Sequence, residues 1–251
     1  MESRLNCRTI REFDGRPVDR ATVDDLLAVA NRTATSNGMQ AFSIVRITND
    51  GVRRAIADVC RQPYVARAPE LWIFIVDQYR NARIAAEQGD LPPGVLSSGA
   101  GDMDRFFQGF TDAVLAAQRV ATAAEDMGLG AVFLGSILND AGRIVEILRL
   151  PKLTFPALGL GMGRPGQSPQ LKPRMDRALK VFENEYRPLE RYLPAIADYD
   201  REMETYYDLR DEGRRSDCFS LQVARRLAGR QDKRAQMLRA VRAQGFDPDV
   251  D

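Results

Sequence analysis

Residues 155–174 read FPALGLGMGRPGQSPQLKPR: an apolar run with glycine at 159, 161 and 163, then a turn-rich loop ending in Lys172, Pro173 and Arg174. Alternate glycines in an extended run remove side chains where another group approaches the backbone, and the Lys-Pro-Arg tail sets two cations on a stiffened chain. This pattern fits a seat for a planar, phosphorylated ligand, and it equally fits a central strand with small residues under a crossing element, followed by a charged loop. A dinucleotide fingerprint is excluded. That motif needs a helix directly after the glycines to hold a pyrophosphate, whereas Pro165, Gly166, Ser168, Pro169 and Pro173 follow here.

Working outward, Leu71–Val76 (LWIFIV) is continuously apolar, as expected of a strand covered on both faces and therefore at the centre of the sheet. Gln40–Thr48 and Gly130–Ile137 read as further strands, the latter ending in Gly135 and Ser136, where a backbone amide could approach a ring or a glycine merely closes the strand. Met103–Met127 is the longest periodic segment, with Phe106, Phe110, Ala113, Ala117, Val120, Ala121, Ala124 and Met127 on one face of a core helix and candidate subunit interface. Helices are expected from Asp19 to about Thr33, Val52 to Cys60, after Asp77, and about Asp140 to Leu150. Thr33–Gln40 is a hydroxyl-rich bend and Gln62–Val65 a polar-aromatic connector. Residues 89–102 form a Gly/Pro/Ser loop, either a lid or a plain insertion. Ala178–Tyr186 reads as extended and Pro194–Arg210 as helical.

The chain has 251 residues, enough for one large domain or a domain with a substantial tail. Lys and Arg total 36 against 35 Asp and Glu, so the net charge of +1 gives no reason to expect nucleic acid or an anionic membrane as partner. Apolar runs are too short to span a bilayer and the polar N-terminus has no signal-peptide core, which makes the cytoplasm the expected location. Cys7, Cys60 and Cys218 are dispersed and odd in number, against a disulfide framework or a clustered metal site. Histidine is absent, which excludes His-dependent triads and the usual zinc sites, so an organic cofactor is the expected carrier of any chemistry. Near the N-terminus, Arg8, Thr9 and Arg11 offer charge-assisted donors for a phosphate or an electron-rich ring edge, or else form a solvated basic face.

Taken in order, CRTIREF, TATSNGMQAFSIVRIT, RQPYVARAPELWIFIVD, AAEDMGLGAVFLGSI, FPALGLGMGRPGQSPQLKPR and VFENEY resemble the flavin-dependent nitroreductase family, in particular its oxygen-insensitive NADPH nitroreductase A and NADPH-flavin oxidoreductase group. The resemblance spans residues 4 to about 210. It implies an α+β fold with a central, mostly antiparallel sheet flanked by helices, in an intertwined homodimer with one FMN at each of two interface sites. On that basis residues 1–210 form the FMN-binding domain and 211–251 a helical extension.

The resemblance further implies that Arg8, Thr9, Lys172 and Arg174 fall at the FMN phosphate, Arg11 at the pyrimidine edge and Gln62 at the ring's polar edge. Thr35, Ser36, Asn37 and Gln40 would line the pocket from the other subunit, and Leu134, Gly135 and Ser136 would lie along the isoalloxazine. Arg11 would then stabilise charge developing on the reduced ring. The implied activity is two-electron, ping-pong hydride transfer from NADPH or NADH to a small-molecule acceptor (nitroaromatic, quinone or flavin), with no protein acid, base, nucleophile or metal. Arg210, Arg214 and Arg215 are candidates for the NADPH phosphate. Cys7 and Ser136 depart from the group's usual histidine and glycine, which leaves a specialised dehydrogenase, a dehalogenase or a low-turnover flavin-binding protein as alternatives.

Overall fold

The computed structural model describes residues 5–89, 99–208, 214–215, 217–229 and 232–248. Arg210 and the interior of the 89–102 loop lie outside the described residues. The chain divides into two compact units, one of residues 9–167 with 231–251, the other of residues 1–8 with 168–230.

The larger unit is built on a four-stranded sheet of β1 (Phe42–Arg46), β2 (Glu70–Asp77), β3 (Gly130–Leu134) and β4 (Thr154–Gly163), in the order β1-β2-β4-β3. All neighbours are antiparallel. Every residue of β2 is buried, because β2 is an inner strand with helices packed over the sheet. The second inner strand, β4, carries the alternate glycines. Gly159 sits between Ile73 and Leu134, and Gly161 between Leu71 and Val132, so the large neighbours fill the space that glycine leaves. A Cβ at Gly159 would lie 3.0 Å from Leu134 Cβ, and one at Gly163 would lie 2.7 Å from the Pro69 ring. These glycines serve close packing. The register between β2 and β4 shifts at Phe74/Ile75, opposite Pro156, which has no amide to donate to the ladder.

Several helices precede β3. They are α1 (Arg20–Asn31), α2 (Asp50–Cys60), the short α3 (Tyr64–Arg67), α4 (Gln78–Gln88) and the long α5 (Met103–Asp126). Asp19 caps α1 by accepting from Thr22 N, as the Asp at that position predicts. In α5, Phe106, Ala113, Ala116, Ala117, Val120, Ala121 and Ala124 are buried, and the small residues bring the helix close to the sheet. At the nearest approach a Cβ on Gly109 would sit 2.7 Å from Val76 Cγ1. After β3 come α6 (Ala141–Leu148) and β4.

The smaller unit holds α7 (Ala197–Thr205), the two-residue strands β5 (Tyr207–Asp208) and β6 (Arg214–Arg215), and α8 (Phe219–Ala228). Two short helices, α9 (Asp232–Ala235) and α10 (Met237–Ala243), belong to the larger unit.

Several expected elements are reshaped. β3 stops at Leu134, and Gly135–Asp140 turns into a 3-10 helix. Gln62–Val65 is not merely a connector, since α3 begins at Tyr64. Ala178–Tyr186 does not form a strand: Asp176 accepts from Ala178 N at 2.8 Å to start a 3-10 turn over Arg177–Leu179, and Asn184 takes a left-handed φ of 65°. The helix expected to reach Arg210 ends at Thr205, where consecutive tyrosines lead into β5, in keeping with the extended preference of aromatic residues. Among the described residues no helix is long and apolar enough to cross a membrane.

Candidate functional site at the edge of the sheet

The exposed edge of β3 is covered by the N-terminal segment. Ile10 N donates to Ala131 O at 3.0 Å, and Thr9 bridges Ala131 in parallel. Ile10 is buried over Gly130, where a Cβ would come within 2.5 Å of Ile10 Cγ1, so the glycine is what admits the segment. Strand alternation then turns Thr9 and Arg11 away from the core. The segment is tied also to the loop after β4: Asp14 N donates to Arg164 O at 3.1 Å and Gly166 N to Glu12 O at 2.9 Å. With its amide oxygen toward the chain, Gln167 accepts from Arg11 N at 2.8 Å. Residues 164–167 of the glycine-bearing stretch and residues 11–14 therefore meet within the larger unit.

At the end of β3 the chain gathers a second polar group. α2 closes with Arg61 in the left-handed region, which delivers Gln62 beside Ser136. Ser136 Oγ and Tyr64 OH both donate to Gln62 Oε1 at 2.9 Å, leaving the two Nε2 protons for other acceptors. Beneath them Cys60 is buried; burial pushes its thiol above the ordinary value, opposed in smaller measure by Ser136. Leu134 is buried and holds the strand end. Gly135 differs from the sheet glycines, because a Cβ there would meet nothing within 4 Å and its φ is not in the left-handed region. Neither strain nor packing among the described residues requires glycine at this point.

Thr35, Ser36, Asn37 and Gln40 lie on the opposite edge, in the bend leading into β1. Asn37 and Gln40 adopt φ of 52° and 49°. The bend is held by Asp112, fully buried on the core face of α5, which accepts from Ser36 N at 2.8 Å and Ala41 N at 3.2 Å. Arg80 on α4 reinforces it, donating to Gln40 O and, at 2.9 Å, to Ser43 Oγ. Beside it is a cavity of about 380 Å³ lined by Met39, Gln40, Phe42, Ser43, Arg80 and Ile84 among others. Three interstrand spacings, roughly 14 Å, separate β1 from β3. One chain does not bring Thr35–Gln40 to Gln62 and Leu134–Ser136.

In the smaller unit, Arg8 Nη1 donates to Asn6 O at 2.9 Å while its Nε is buried and has no hydrogen-bond partner. Lys172 Nζ lies 6.0 Å from the centre of the Tyr206 ring. Arg174 is exposed and donates to the Lys172 and Pro173 carbonyls at 3.3 and 3.2 Å. Tyr199 is pushed up by burial, with Arg174 pulling the other way. Arg214 and Arg215 contribute the backbone of β6.

Three residues absent from the sequence-based set hold this architecture. Asp112 was visible as a carboxylate at core spacing between Gly109 and Ala113, and a buried acid in an alanine stripe is a signal for backbone donors nearby. Arg80 and Arg234 had no local signal. Arg234, on α9, donates to Gly135 O at 3.0 Å and Asn139 Oδ1 at 3.3 Å.

The fold and these groups define a class: an α+β protein whose donor-rich sheet edge combines arginines, amides and hydroxyls with a bare glycine, and which among its described residues has no metal-binding cluster of His, Cys, Asp or Glu. Comparison with known proteins makes the assignment specific. The chain belongs to the Nitroreductase family, whose profile matches residues 6–164, and the profile of the Nitroreductase family, C-terminal domain, matches residues 172–249. It is 35% identical over 240 residues to the oxygen-insensitive NADPH nitroreductase of Salmonella typhimurium, covering 95% of this chain and 94% of that protein. Among solved structures it is similar to the NADPH:FMN oxidoreductase from Vibrio harveyi complexed with NAD+, with 31% identity, a TM-score of 0.83, and coverage of 97% of this chain and 96% of that one. The NfrA1 nitroreductase from B. subtilis superposes with a TM-score of 0.88 at 30% identity over 99% of both chains.

Proposed function

We propose that this protein is an FMN-dependent NAD(P)H oxidoreductase that reduces nitroaromatics, quinones or flavins by two-electron steps in a ping-pong cycle. The relatives named as NADPH nitroreductase and NADPH:FMN oxidoreductase support the reading over nearly the whole chain. The observation that carries it is Gly135, a glycine at the end of β3 that the chain's own conformation and packing do not require, beside the Gln62–Ser136 pair and on the strand that Thr9–Arg11 borders. A flat ring approaching that backbone accounts for the missing side chain. The buried, unpartnered Nε of Arg8 likewise fits an anionic group.

FMN, when bound, supplies hydride transfer between nicotinamide and acceptor. In this reading residues 1–210 carry its contacts, with Arg8, Thr9, Lys172 and Arg174 holding the phosphate by charge-assisted donors. Arg11 faces the pyrimidine edge, where a fixed cation stabilises negative charge. Gln62 offers its Nε2 protons to the polar edge, and Leu134, Gly135 and Ser136 line the ring. Thr35, Ser36, Asn37 and Gln40 come from a second copy, because within one chain they stand on the far edge of the sheet. The functional form is accordingly a homodimer. The exposed Val181, Tyr186 and Leu193 of the smaller unit are apolar surface for such an association. NADPH is the expected donor, with Arg210, Arg214 or Arg215 at its 2′-phosphate.

The purified protein is expected to be yellow, to lose its colour with NADPH under anaerobic conditions, and to recover it on adding a nitroaromatic or quinone. Colourless protein that takes up no added FMN contradicts the proposal.

A further inference from the structure

The C-terminal segment returns to the larger unit at the end of β3. α9 places Arg234 half-buried, with one guanidinium nitrogen shared between the Gly135 carbonyl and Asn139 Oδ1. Asn139 in turn donates to Val59 O at 3.3 Å and Cys60 O at 3.4 Å, at the close of α2. The Gly135 carbonyl is thus held by a cation that is itself braced against a second helix. The adjacent residue, Lys233, reaches a different group, pairing with the Asp140 carboxylate.

From this geometry we infer that Arg234 is a positioning residue for the Gly135–Ser136 peptide, fixing its carbonyl so that the Ser136 N–H is directed to the opposite side, toward the ligand. In a trans peptide the C=O and the following N–H point in opposite directions, so anchoring one aims the other. Ser136 is the second residue of the 3-10 helix Gly135–Asp140, and the first amides of a helix have no acceptor within it, which leaves this N–H available. A cation on the carbonyl also polarises the peptide, making its N–H the stronger donor. The ligand in this inference is the FMN of the function proposed above, on which it rests.

The test compares wild-type protein with Arg234→Ala, Arg234→Lys and Lys233→Ala, each stripped of flavin and titrated with FMN by fluorescence quenching. Amide exchange of residues 134–140 is followed in the same apoproteins. Losing one charge-assisted anchor is expected to weaken FMN about tenfold in Arg234→Ala, to speed exchange at the Gly135–Asn139 turn, and to alter the shape of the visible flavin band. Lys233→Ala, which removes a different tie of α9, is expected to leave all three readouts near wild type. Equal effects in Arg234→Ala and Lys233→Ala, or none in either, overturn the inference, since a merely structural α9 would respond alike to both. If Arg234→Ala does not fold, Arg234→Lys decides: it keeps the charge and loses the shared contact, so a loss of about threefold relative to Lys233→Ala supports the inference and parity overturns it. Wild-type protein that binds no FMN overturns the proposed function and this inference with it, a result distinct from parity among the variants.

Discussion

The same substitution, Gly→Ala, has opposite consequences at two points of the sheet. At Gly163 the added Cβ would stand 2.7 Å from Cδ and Cγ of Pro69 and 3.0 Å from Phe13 Cδ1. Ordinary carbon contacts lie at about 3.5–4.0 Å, so a rigid ring in a buried region must move by most of an ångström. Overpacking of this kind costs about 1–3 kcal/mol, which in a chain of this size lowers Tm by roughly 2–4 °C for each kcal/mol. At Gly135 nothing stands within 4 Å and the backbone is not left-handed, so alanine fits without strain. By restricting the unfolded chain it stabilises the fold slightly, by about 0.4–1 kcal/mol. If that space is where the flavin ring lies, however, the methyl group displaces the ring, and FMN affinity falls about tenfold or more, equivalent to roughly 1.4 kcal/mol. Thermal melting of the apoproteins and FMN titration separate the two effects. A Gly135→Ala protein that binds FMN as wild type does would refute the placement of the ring at the end of β3, and a Gly163→Ala protein as stable as wild type would refute the packing account of the β4 glycines.

Asp112→Ala strands the Ser36 and Ala41 amides in a region where Asp112 itself is fully buried, so unfolding should become easier by about 2–4 kcal/mol in a denaturant titration. Arg174→Ala is expected to release FMN during gel filtration under conditions in which Arg226→Ala retains it, because Arg226 is an exposed residue of the last turn of α8; equal retention would contradict the phosphate seat. Because burial raises the Cys60 thiol, less of it is thiolate at pH 8 than of an ordinary cysteine, and the exposed Cys7 should react with a disulfide reagent well before it. Mass spectrometry of the native protein showing Cys60 labelled first would be inconsistent with this packing.

What could be read in advance followed from strong local patterns. LWIFIV had to be covered on both faces, and the periodic stretch from Met103 could only be a long core helix; both are observed, with Asp19 capping α1 as its position predicts. The glycines of β4 were ambiguous in isolation, because glycine signals close approach without saying whether chain or ligand approaches. Their meaning came from neighbours distant in sequence: Leu134 and Ile73 beside Gly159, Pro69 over Gly163. The same contrast separates Gly135, where a Cβ would meet no described atom within 4 Å. Long-range polar ties were hidden for a similar reason. No local pattern marks Arg234, and only the fold carries it to a carbonyl 99 positions earlier. The extended reading of Ala178–Tyr186 failed because a strand needs an edge to pair with, and a local Asp176 cap offered its backbone a turn instead.

The central claim is a flavin mononucleotide held by its phosphate and by the edge of β3, and one comparison of ligands tests it most directly. Flavin-free protein is titrated with FMN and, separately, with riboflavin, which has the same ring and no phosphate. With Arg8, Thr9, Lys172 and Arg174 at the phosphate, FMN should saturate at one equivalent per chain and bind about a hundredfold more tightly than riboflavin, the loss of two charge-assisted contacts. Equal affinity for the two flavins, or no binding of either, would contradict the account.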